Sequence, residues 1–179
     1  MFLQICYNKT MKKILLACFS LVIAAFPTLS AAALSSEQKS AISANCSSIQ
    51  QSLRTLQRSD SRTRVYLGSI YQTVLTDYIT PLNLRLVKNN QPSATLTNNQ
   101  SEFAAARNDF SQKFIIYSQA LEELILIDCN NRPEDFYHKL TEVRSKRSDL
   151  SKAIAKINEI LNAHAEAVAK LKGESHDER

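Results

Sequence analysis

In "CSSIQQSLRTLQRSDSRTRVYLGSIYQTVLTDYIT", Cys46 to Thr80, apolar side chains recur in steps of four and three. That step keeps successive residues on one face of an α-helix and fits no strand. Starting from Ile42, the stripe passes Cys46, Ile49, Leu53, Leu56, Asp60, Thr63, Leu67, Ile70, Val74 and Asp77. Tyr71, Leu75 and Tyr78 widen this face enough for two partners. Ser35 followed by Gln38 has the pattern of a capping box, so helix 1 is predicted over 36–79. Thr80-Pro81 then ends it and opens a short connecting helix through "LNLRLVK".

The same step continues downstream. Helix 2 is predicted over 94–129, with a stripe of Leu96, Phe103, Arg107, Phe110, Phe114, Tyr117, Leu121, Leu124 and Asp128. "NNRPED" separates it from helix 3, predicted over 133–172 and ended by Gly173, with a polar tail at 174–179. Short connections make neighbours antiparallel. The expected fold class is therefore all-α, an elongated, coiled-coil-like antiparallel three-helix bundle.

Lys12 and Lys13 precede "ILLACFSLVIAAFP" and then "TLSAAA". A basic start, a short apolar run and small residues at Ala31 and Ala33 read as a secretory signal peptide over 1–33, with Met11 as an alternative start. An uncleaved anchor is the other reading; Cys18 comes too soon after the lysines for a lipoprotein site. Cleavage removes Lys9, Lys12 and Lys13, so the 22 basic residues of the chain fall to 19 against 17 acidic. A net charge of +2 gives little reason to expect a nucleic-acid partner. The expected location is the periplasm, cell surface or extracellular space.

Cys46 and Cys129 then remain, and two cysteines in an exported chain most simply pair. That disulfide sets a register in which position n of helix 1 lies level with 175 − n of helix 2. Extending the count to helix 3 brings Arg147 beside Asp60 and His164 beside Asp77, two complementary polar layers. Arg107 falls level with Gly68, whose missing side chain would make room for it. Such layers commonly specify helix register.

The sharpest surface feature is basic. Arg54, Arg58 and Arg62 are four apart on one face, and the register places Arg144 and Lys146 level with them. Guanidinium groups suit bidentate contact with phosphate or carboxylate. Tyr66, Tyr71, Tyr78, Tyr117 and Tyr137 are read as lining core edges. Catalytic patterns are poor: no H-E-x-x-H, no G-x-S-x-G, and two glycines in all, too few for a phosphate-cradling loop. Glu134 and His138 read as a solvated helix start. No cofactor and no metal are expected.

These features suggest a non-enzymatic helical protein that binds a protein or an anionic envelope component, with oligomerisation left open. In leader, helices and charge the chain is similar to the small basic periplasmic coiled-coil chaperones, which would imply holdase activity. A structural spacer or adhesive surface protein is the remaining alternative.

Overall fold

A computed structural model describes residues 34–177, with side chains to Lys172. The expected signal peptide lies outside the described residues. Ser36 onward forms a compact unit with its own core. Its elements are α1 (Ser36–Ala44), α2 (Cys46–Thr73), a π-helical turn (Val74–Ile79), α3 (Thr80–Lys88), α4 (Ala94–Leu126) and α5 (Pro133–Asp177). The fold is all-α, with no strand among the described residues.

The expected single helix over 36–79 is subdivided and longer. Asn45, at φ −106° and ψ 9°, separates α1 from α2, while its side-chain amide donates to the Ala41 carbonyl at 2.9 Å. Further on, the helix does not stop before Pro81. Proline cannot donate to the carbonyl four residues back, and its ring crowds that carbonyl. The chain answers by widening: the Thr80 N–H bonds to the Leu75 carbonyl, five residues back, and helix resumes through Lys88. The wider turn shifts the phase of everything that follows, so Ile79 and Asn83 are buried and Asp77 is exposed.

α4 is the central helix. Leu96, Phe103, Phe110, Phe114, Tyr117, Leu121 and Leu124 along it are all buried, following the predicted stripe. It packs along α5, as an antiparallel neighbour whose Glu123 meets Lys139, and it also carries α2, the π-turn and α3. Rings interlock edge to face along this line: Tyr71 with Phe103 and Phe110, Phe110 with Phe114, and Phe114 with Tyr117. α2 itself buries only Cys46 and Tyr71 completely.

α4 ends at Leu126, three residues before the expected boundary. Asp128, placed by periodicity on the apolar stripe, instead accepts bonds from the Asn130 and Asn131 N–H groups and makes the turn. Hydrogen bonds from Asn131 hold its carboxyl below the ordinary range. Gln50 of α2 caps the carbonyl of Ile127 at 3.1 Å. At the other end of the chain, α5 runs past Gly173 to Asp177, because this glycine keeps helical geometry.

Cys46 and Cys129 form the disulfide, with 5.4 Å between their Cα atoms and a sequence separation of 83. In the chain-entropy treatment a loop of that length stabilises the folded state by about 4–5 kcal/mol. Replacing both cysteines with alanine should lower the unfolding free energy by about that much in denaturant melts. An unchanged midpoint would show that the cross-link does not constrain the unfolded chain. A Cβ built on Gly68 meets nothing within 4 Å, so Gly68→Ala should raise stability by about 0.5–1 kcal/mol. A loss on that substitution would mean that Gly68 serves a close approach.

Candidate functional site

The middle of α2 reaches the rest of the unit through long polar side chains. Asp60 is half-buried, and its Oδ2 accepts a hydrogen bond from the buried Tyr117 hydroxyl at 2.6 Å. Arg147 Nη2 lies 3.6 Å from Asp60 Oδ1, and its guanidinium sits 6.0 Å from the Tyr117 ring centre. Three helices thus meet at one carboxylate. Burial, and then the Asp60 hydrogen bond and charge, push the Tyr117 phenol far up, so it stays a donor. A hydrogen bond from a buried phenol to a carboxylate contributes about 1.5–3 kcal/mol. The half-exposed Arg147 pair adds at most about 1 kcal/mol, because water screens it. Sequence reasoning placed Asp60 and Arg147 in one layer but read Tyr117 as a core-edge ring. Its spacing from Phe110 and Phe114 was the only signal.

The second expected layer does not form. Asp77 is exposed and accepts from the Thr76 hydroxyl at 2.7 Å, while the buried His164 has no partner at Nδ1. The π-turn is the reason, since its extra residue turns Asp77 outward and puts Ile79 inward. Arg107 does not fill space at Gly68 either. It donates to the Gln72 side-chain carbonyl, one turn further along α2.

Between Asp60 and Leu67 six consecutive residues, Ser61 to Tyr66, are exposed. A helix lying in a groove would bury one or two of them each turn, so α2 rides above its neighbours here. Arg64 bridges the gap, with its guanidinium 5.5 Å from the Phe114 ring centre. Val65 and Tyr66 are 73% and 66% exposed.

Arg54, Arg58 and Arg62 are exposed, and none has a salt-bridge partner among the described residues. Arg54 and Arg58 line a shallow groove with Gln57 and with Glu122, Ile125 and Leu126 of α4. No hydrogen bond, ion pair or shared groove links these arginines to Arg144 or Lys146 among the described residues. Those two are separated by two residues on α5, so their side chains leave the helix roughly 200° apart. Arg144 is exposed and Lys146 is half-buried. The groove at Arg54 and Arg58 is thus formed by α2 and α4. No group of three or more His, Cys, Asp or Glu among the described residues could hold a metal ion.

A buried polar network that periodicity did not suggest holds α3. Asn83 donates to the Leu96 carbonyl at 3.0 Å and to the Gln100 side chain at 2.6 Å, and Gln100 donates to Thr80 at 3.0 Å. Comparison with known protein families, characterised proteins and solved structures returns no match, so the site must be read from its own chemistry.

Burial pushes the His164 imidazole below its usual 6.5. As pH falls, the unfolded chain therefore takes up this proton before the folded one does. Stability present above about pH 6.5 should decline as pH falls below it. In denaturant melts at pH 8 and pH 5, the wild type should lose more stability than His164→Leu. Equal losses would show that His164 charges as readily folded as unfolded.

Proposed function

We propose that this chain is exported and acts at the cell envelope or surface as a non-enzymatic binding module. Its arrangement is best read as an elongated antiparallel three-helix bundle, with α1, α2 and α3 as one interrupted arm. Three features support the compartment. The sequence carries the leader pattern, a disulfide suits an oxidising environment, and no helix of the described residues is long and apolar enough to cross a membrane.

The observation that carries the binding assignment is the outer face of α2. Arg54, Arg58 and Arg62 form no salt bridge among the described residues, although Glu122 shares the groove of the first two, and Val65 and Tyr66 extend the same stretch. Exposed arginine beside tyrosine is the composition of a protein-recognition surface, and guanidinium pairs with carboxylate or phosphate. The partner is an acidic protein face or an anionic envelope polymer. A second reading, a holdase chaperone, is favoured by exposed Val65, Tyr66 and Leu126, which a non-native client could cover. A structural spacer would need neither surface.

Residues 34–179 immobilised on a support should retain an anionic component from solubilised envelope fractions. Retention should weaken about tenfold in Arg54→Gln/Arg58→Gln/Arg62→Gln and fall with added salt. Retention indifferent to both would remove the arginine face from the reading. Suppression of client aggregation, unaffected by the triple substitution, would favour the holdase.

A further inference from the structure

The end of the unit remote from the disulfide has a different surface. Between Tyr78 and Ser101 there is no Asp or Glu, while Arg85 and Lys88 both lie on α3. Asn83 anchors α3 level with Leu96, in the first turn of α4. Leu84 and Arg85 then lie level with the first residues of α4, and Leu86 to Lys88 stand past its start, before the turn that Asn90 makes with φ 53°. Leu84 and Val87, three apart and on one face, are 65% and 59% exposed. Arg85 and Lys88 follow each of them directly. Of the charged residues of α5, Glu166 and Lys170 line the groove at the start of α4, and these two cancel.

We infer that α3 is a docking tip for an anionic lipid surface. Leu84 and Val87 enter the boundary between headgroups and acyl chains, and Arg85 and Lys88 meet the lipid phosphates. The exposed face is about one helical turn long, far short of the roughly 800 Å² per partner that a stable protein interface buries. Interfacial docking asks for less: a few apolar side chains flanked by basic ones at the end of a structured element. With so few groups the attachment is weak and reversible, suited to orienting the unit on a membrane. The arginine face of α2 is a separate surface, so the docking does not rest on it.

The test uses residues 34–179, which hold the whole described core, with the disulfide intact. Flotation with phosphatidylcholine vesicles, with and without phosphatidylglycerol, should show binding to the anionic vesicles alone. Leu84→Ser/Val87→Ser and Arg85→Gln/Lys88→Gln should each lower the bound fraction about fivefold, and added salt should do the same. Arg54→Gln/Arg58→Gln/Arg62→Gln should leave it unchanged. All four altered side chains of α3 are solvent-facing, and matching circular dichroism and melting curves confirm that the variants fold. Binding that survives both α3 variants would overturn the inference, as would binding lost only in the arginine triple. So would a sedimentation dimer abolished by Leu84→Ser/Val87→Ser with no vesicle binding, which would make the face a contact between copies.

Discussion

The burial of one stripe on α4 is the constraint on which the unit depends. Phe103, Phe110, Phe114, Tyr117, Leu121 and Leu124 are almost fully removed from water, and α4 buries nine residues in all, more than any other helix among the described residues. Each large side chain buried in this way contributes about 1.5–3 kcal/mol, and the edge-to-face ring pairs add about 0.5–1.5 kcal/mol apiece. α5 covers one side of the stripe, while α2 and its continuation cover the other. α2 has too few apolar residues facing inward to be held by burial alone. It is fastened at points, by the disulfide, Gln50 at the end of α4, Asp60 on Tyr117 and Tyr71 between two phenylalanine rings, and its continuation α3 is fastened by Asn83 on Leu96. Between those points the helix stays open to solvent, as at Ser61 to Tyr66.

Point attachment accounts for the polar residues at core positions. The Asp60–Tyr117–Arg147 meeting adds modest net stability, but it has only one satisfactory register, since displacing α2 by a turn would leave a phenol and a carboxylate unpaired. Asn83 acts similarly on α3, although its own side-chain carbonyl has no partner. His164 is the exception, because its buried Nδ1 is unpaired and nothing in the structure explains its presence.

Much of this was legible in the sequence. The step of four and three identified the helices and the stripe of α4, the short connections implied antiparallel neighbours, and two cysteines were enough to pair Cys46 with Cys129. The register derived from them brought Asp60 and Arg147 together because nothing disturbs the helix between residues 46 and 60. Beyond Thr73 the same count failed. One extra residue in the π-turn rotates Asp77 away from His164, and periodicity cannot register an insertion that leaves the helix unbroken. Pro81 signalled a disturbance there, but not whether the chain would break or widen.

Local chemistry therefore determined which residues form helices and which stripe is buried, because periodicity and propensity act within a few residues. The tertiary structure decided how far α2 stands from the core and where Asp77 and Arg107 point. Those depend on the bulk of rings on α4, on the phase added by one wide turn, and on which polar groups find partners across helices. Such quantities belong to the packed unit and are written in no single segment of its chain.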